Sequence, residues 1–248
     1  MALPAVTPPR PQIPRDAQRR RVYLAETPMP SSPLPGLDAC ANFADRVVGT
    51  LWWQQRFPEH DLGTVPRFRP GNGARQAFYR EEPDGPTITL PRRYRTKGVV
   101  LHELAHWALG LRAELPPHGR TFARVLLDAT AEFLGEERAT ELAGSYREQR
   151  VRVGKPARSG LDGRLRYGWD ERLHLGRGRR VHVAHIVVRA GDRPVDTVTT
   201  GVFAGYQRGA SQVRLTGLDV ACPTGATEAV IPTKSVFDVT YAREEGPA

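Results

Sequence analysis

The sequence predicts an α+β fold in two parts, a first domain of helices around a small antiparallel sheet and a second, small module built only of β-strands. Three observations carry that prediction. Apolar residues recur at helical spacing before Pro58 and again between residues 99 and 149. Between those stretches lie short extended runs cut by Gly71-Asn72-Gly73 and Asp84-Gly85. Beyond residue 180 the helical period disappears and strand-length runs replace it. With 248 residues, 40% of them hydrophobic, the chain can bury a core in each part.

Residues 1–30 read as a proline-rich, disordered arm, because Pro4, Pro8, Pro9, Pro11 and Pro14 remove backbone donors and fix φ where a helix or strand would have to form. A second cluster, Pro28, Pro30, Pro33 and Pro35, ends at Gly36-Leu37-Asp38, where Asp38 is expected to cap a helix. That helix follows from the three-and-four spacing of Cys40, Phe43, Ala44, Val47, Val48, Leu51 and Trp52, and must stop before Pro58. Val65–Phe68, Gln76–Arg80 and Thr87–Leu90 form the antiparallel sheet, with Thr87–Leu90 as the edge strand to which a peptide could add. Pro91 ends it, and the next helix starts near Thr96.

His102-Glu103-Leu104-Ala105-His106 occupies that helix. Residues four apart differ by roughly 40° around a helix axis, so both imidazoles leave one face a turn apart. Glu103 sits beside them, able to reach a metal-bound water without being a ligand itself. The flanking Val, Leu, Ala and Trp residues bury this helix, and three buried polar groups are expensive unless they bind something. A catalytic zinc needs a third ligand and an open position. A histidine six residues past His106 is excluded, since that place holds Arg112. Glu132, Glu136, Glu137 and Glu141 on following helices are available. The better placed candidate is His118, in Pro116-Pro117-His118-Gly119, a stiff loop that returns into a helix carrying Phe122, Val125, Leu126, Ala129 and Phe133.

His102-Glu103-Leu104-Ala105-His106 followed by His118-Gly119 and Phe122 resembles the SprT-like zinc metallopeptidases, and within them the small metallohydrolases of actinobacteria and their phages. The opening Arg15-Asp16-Ala17-Gln18-Arg19-Arg20-Arg21-Val22-Tyr23 is similar to the start of those actinobacterial proteins. The resemblance spans roughly residues 15–150 and is most specific from Thr87 to Phe122. It implies a zincin-like domain over residues 31–150, one zinc held by His102, His106 and His118, and Glu103 as general base. A last helix, Glu136 to Gln149, closes the domain and carries Tyr146, which either packs or steadies an oxyanion.

Residues 151–179 read as a basic, glycine-rich linker. From Arg150 to Arg180 ten basic residues stand against three acidic ones, a net +7. Residues 180–248 then give strands at Val181–Val188, Thr197–Tyr206, Gln212–Leu218 and Ala229–Tyr241, a small β-barrel or curled sheet. His182 and His185 face opposite sides of their strand and make a poor metal pair. Thirty-six basic residues against 27 acidic ones give a net charge of +9, so the partners expected are a protein or peptide substrate and, through residues 150–180, non-specific nucleic acid. There is no apolar stretch of about eighteen residues and no signal-like start, which excludes a membrane partner and points to the cytoplasm. Cys40 and Cys222 suit a reducing compartment as small core residues.

Together these features predict a zinc-dependent peptidase in which Glu103 removes a proton from the zinc-bound water. The alternative class is a nucleic-acid-associated protein with a structural zinc and a basic binding segment.

Overall fold

The computed structural model describes residues 16–27, 31–73, 75–110, 114–219 and 226–242. Cys222 and residues 1–15 of the proline-rich arm lie outside them. The fold is α+β, as the sequence predicts, with seven α-helices and three sheets among the described residues.

Helix α1 (Arg19–Glu26) lies within the stretch expected to be disordered, and Val22 and Ala25 on it are fully buried. Proline content misleads here because the last proline before it, Pro14, leaves room for a full helical turn and more before Pro28. The next predicted helix is two: α2 (Leu37–Val48) and α3 (Leu51–Arg56). Gly36 occupies the cap position of α2, with Asp38 in its first turn. Gly49 and Thr50 interrupt the helical spacing, and the Thr50 hydroxyl accepts from the Trp53 backbone N–H at 3.2 Å to start α3 afresh. Trp53 is thereby turned into the core and stacks on Trp107 at 5.7 Å.

Strands β1 (Arg67–Pro70), β2 (Phe78–Glu82) and β3 (Gly85–Leu90) form a mixed sheet in the order β1-β3-β2. β3 pairs antiparallel with β2 and parallel with β1, so the sheet is not purely antiparallel. Thr87–Leu90 is therefore the central strand and not the edge, and Thr87, Ile88, Thr89 and Leu90 are all buried. Burial of both the threonines and the aliphatic residues shows a strand covered on both faces, and an outer position falls to the more polar β2.

Helices α4 (Lys97–Leu109), α5 (Arg120–Leu134) and α6 (Glu136–Glu148) complete the first layer. α4 packs against α2 and α5, and α1 lies against α6. One core, from Val22 to Tyr167, gathers these helices and the sheet, with Cys40 buried among them.

The expected linker is ordered. It contains a two-stranded ribbon, β4 (Arg158–Ser159) and β5 (Leu165–Arg166), and helix α7 (Trp169–Leu175). Tyr167 belongs to the first core and Trp169 to the second, and the chain crosses between them at Gly168, whose φ of +85° favours glycine. Several of the basic residues between Arg150 and Arg180 are engaged with the fold. The Arg158 guanidinium lies 4.1 Å from the Trp169 ring and donates to the Val236 carbonyl at 2.9 Å. Arg172, buried, donates to the Tyr167 carbonyl at 3.2 Å. Arg179 stacks on Tyr241 at 4.0 Å, and Arg180 pairs with Asp219 at 2.7 Å.

The last module is a five-stranded antiparallel sheet of β6 (Arg180–Val187), β7 (Val195–Gln207), β8 (Gln212–Thr216), β9 (Glu228–Pro232) and β10 (Val236–Tyr241), in the order β10-β6-β7-β8-β9. β9 and β10 are opposite edges, which would stand roughly 19 Å apart in a flat sheet. Only three residues join them, a reach of about 14 Å, so the sheet must curl toward closure. Its core of Val181, Val183, Phe203, Val213, Leu215 and Val239 is sealed by Trp169 and Leu173 of α7.

Candidate metal centre

α4 is set by a cap at one end and burial along its length. The Thr96 hydroxyl accepts from the Val99 backbone N–H at 3.3 Å, and eight of its thirteen residues are buried. His102 and His106 leave the same face, their Nε2 atoms 3.2 Å apart. His118 arrives on the loop that closes with the Gly119 backbone N–H on the Pro116 carbonyl at 2.9 Å, and its Nε2 lies 3.2 Å from that of His106. His102, His106 and His118 thus form the one group among the described residues whose ligand atoms, all within 4.8 Å of one another, could hold a metal ion. Glu132, Glu136, Glu137 and Glu141 are exposed on α5 and α6, away from this cluster.

The histidines are oriented from behind. His102 Nδ1–H donates to Glu26 Oε2 at 2.8 Å, and His118 Nδ1–H donates to Asp16 Oδ2 at 2.8 Å. Asp16 Oδ1 also accepts from the His118 backbone N–H at 3.3 Å. With Nδ1 carrying the proton, the Nε2 lone pairs of these two rings face the common point, the tautomer a metal requires. Crowding three imidazole nitrogens this closely is unfavourable unless a cation lies between them, so the donor set fits a metal. Burial pulls the His106 pKa well below its ordinary value, with the charges of His102 and His118 acting in the same direction. Burial also lowers His118, against the opposing pull of Asp16. His102 differs: burial acts downward, but Glu26, by charge and hydrogen bond, and Glu103 outweigh it and leave the pKa raised. A ligand must be neutral, so metal binding competes with protonation of His102 Nε2.

Glu103 is buried beside the cluster, and burial pushes its pKa up to about 7, while His102 and the Tyr79 backbone N–H pull the other way. It faces a cleft of about 310 Å³ also lined by His106, His118, Arg19, Tyr23 and Gln76 to Tyr79, the last two at the start of β2. A second cavity of about 580 Å³ shares Tyr23, Gln76, Ala77 and Glu103 with the first and continues between Val99, Leu126 and Leu142. Tyr146 lines neither cavity; it is buried behind the site, where burial and the charge of Glu26 raise its pKa well above the ordinary value.

The C-terminal half reaches this centre through Glu171 of α7. Its carboxylate accepts the backbone N–H groups of Arg120 at 2.9 Å and Thr121 at 2.8 Å, capping α5 where it starts two residues after His118. A Cβ on Gly119 would stand 2.4 Å from Glu171 Oε1, so this position admits no side chain while the cap is in place. Glu171→Ala is expected to destabilise the protein by about 1–3 kcal/mol, since it leaves a buried N–H group at Thr121 and a part-buried one at Arg120 without their acceptor. Chemical denaturation checks it, and a change below about 0.3 kcal/mol would show that water replaces the carboxylate at no cost.

Sequence reasoning missed Asp16, Glu26 and Glu171. Asp16 and Glu26 belong to the stretch that proline content marked as an arm, and Glu171 to the apparent linker; a lone carboxylate at such positions carries no pattern. No family model, no curated protein and no solved structure matches the chain. Among the described residues no helix is long and apolar enough to cross a membrane.

Proposed function

We propose that the chain is a zinc-dependent metallohydrolase with a zincin-like first domain, and that it cleaves amide bonds in peptides as SprT-like enzymes do. The observation that carries this reading is the convergence of three histidine Nε2 atoms beside a buried carboxylate that is not among them. Tetrahedral bonds of 2.0–2.1 Å from zinc to imidazole nitrogen place ligand atoms about 3.3 Å apart, close to the 3.2 Å separations around His106. Three protein ligands leave the fourth position open, as catalytic sites do.

When bound, zinc would supply Lewis acidity toward a substrate carbonyl and acidify a water. The remaining work falls to the chain. Glu103, whose pKa burial raises to about 7 in the metal-free protein, is placed to take a proton from the attacking water and pass it to the leaving amine. Glu26 and Asp16 keep the rings of His102 and His118 in register. Phe78 to Glu82 of β2 pair with β3 on one side only, which leaves the other edge for an extended peptide to lie along the cleft as an added strand.

The decisive experiment combines metal analysis of the purified chain with hydrolysis of unfolded casein by the parent and Glu103→Gln. A parent that carries one zinc and cleaves, beside a variant that carries zinc and does not, supports the proposal. A parent that carries zinc and cleaves no peptide bond would leave the site structural.

A further inference from the structure

We propose that Asp16 and Glu26 are positioning residues for the metal ligands, delivered together by α1, so that docking of residues 16–27 and metal binding form one coupled event. The inference rests on the metal reading above and extends it to a segment outside the histidine motif.

Each carboxylate addresses a different ligand. Glu26, the last residue of α1, takes the Nδ1–H of His102, and Asp16, three residues before its start, takes both the Nδ1–H and the backbone N–H of His118. Two bonds from one carboxylate to ring and backbone fix the loop as well as the imidazole. Between them the ring of Tyr23 lies over both ligands, its centroid 5.4 Å from His102 and 5.1 Å from His118. One short segment, Asp16 to Glu26, therefore backs two of the three ligands.

That helix has little reason to exist by itself. Its eight residues, Arg19-Arg20-Arg21-Val22-Tyr23-Leu24-Ala25-Glu26, have no side-chain cap and no acidic residue in the first turn, and a helix this short is unstable in isolation. Its place is set by Val22 and Ala25 in the core, by the two carboxylate–histidine contacts, and by Gln18, which exchanges hydrogen bonds with the Arg152 backbone at 3.1 and 3.0 Å. Glu26 is also costly to place, because its Oε1 is buried with no hydrogen-bond partner among the described residues. A carboxylate held at a desolvation cost with one oxygen on a ligand ring is explained by what it does for the ring. Reciprocity follows: if docking of α1 raises metal affinity, metal must hold α1 in place by the same factor.

The test uses the full chain, Zn²⁺ titrated against a chromophoric chelator, and Co²⁺ as an absorbing substitute. Glu26→Ala and Asp16→Ala should each weaken Zn²⁺ binding by 10- to 100-fold and shift the Co²⁺ absorption, with Glu26→Gln and Asp16→Asn, which keep an acceptor, falling in between. Gln18→Ala, which loosens the same segment but touches no ligand, should lower Zn²⁺ affinity through docking alone and leave the spectrum of the Co²⁺-saturated protein unchanged. In the parent, Zn²⁺ should slow tryptic cleavage after the exposed Arg19, Arg20 and Arg21. Circular dichroism identifies any alanine variant that has lost its fold, in which case the near-isosteric amides decide. Affinities within twofold of the parent in folded Glu26 and Asp16 variants, or tryptic cleavage indifferent to Zn²⁺, overturn the inference. A parent that binds neither Zn²⁺ nor Co²⁺ overturns the metal reading itself, and this inference with it.

Discussion

Glu103→Gln is expected to bind zinc like the parent and to lose peptide hydrolysis by 10²-fold or more. An amide of the same shape cannot accept a proton, and general acid–base catalysis contributes 10²- to 10⁴-fold. The loss should appear in kcat and in kcat/KM alike, because the proton moves only during reaction. The same substitution has a second signature in metal-free protein. Folded Glu103 holds its proton up to about pH 7, whereas the ordinary value is 4.5, so between those limits the folded state binds more protons than the unfolded one. Stability attributable to Glu103 is therefore present below pH 4.5 and lost as pH rises toward 7, and Glu103→Gln should remove that loss. Steady-state kinetics and denaturation across this pH window measure both effects. Hydrolysis within threefold of the parent would eliminate Glu103 as the base.

His118→Ala is expected to abolish stoichiometric zinc binding while the chain remains folded. Removing one of three ligands should cost more than the 10- to 100-fold associated with an orienting partner. Native mass spectrometry reads occupancy directly. A thermal scan adds an independent measure, since zinc at a hundred times its dissociation constant stabilises the parent by about 2.7 kcal/mol. For a chain of this size that is a rise in Tm of roughly 5–10 °C, which His118→Ala should not show. Glu132→Ala and Glu141→Ala, altered on exposed positions outside the cluster, should keep both the zinc and the shift. Full occupancy in His118→Ala would place the third ligand elsewhere.

Local patterns make much of the molecule legible in its sequence. His102, Glu103 and His106 are readable because a helix repeats every 3.6 residues, so four positions of spacing become one face whatever surrounds them. The Thr96 start of α4, the α5 and α6 helices and the first three strands of the last module follow from the same kind of short-range rule, whereas the expected run Ala229–Tyr241 is divided at Thr233–Ser235 into the two edge strands β9 and β10. His118 was legible as a candidate through the stiff Pro116-Pro117 loop, but only the return of α5 against α4 puts its Nε2 within 3.2 Å of His106.

What only the tertiary structure decided concerns contacts between residues distant in the chain. The order β1-β3-β2 makes β3 central and β2 the strand along the cleft, because the outcome depends on which layers cover each face and not on the strand's own residues. Asp16 meets His118 across 102 positions, Glu26 meets His102 across 76, and Glu171 meets Thr121 across 50. No periodicity encodes such pairs. A carboxylate in sequence is a solvated charge by default; it becomes an orienting acceptor only when packing of Val22, Ala25, Trp169 and Leu173 buries it against its partner and removes the water that would otherwise compete. The sequence thus determined by itself the helix that carries the histidine pair and its glutamate, since those depend on local geometry. The shells that hold them were decided by burial, which belongs to the whole chain.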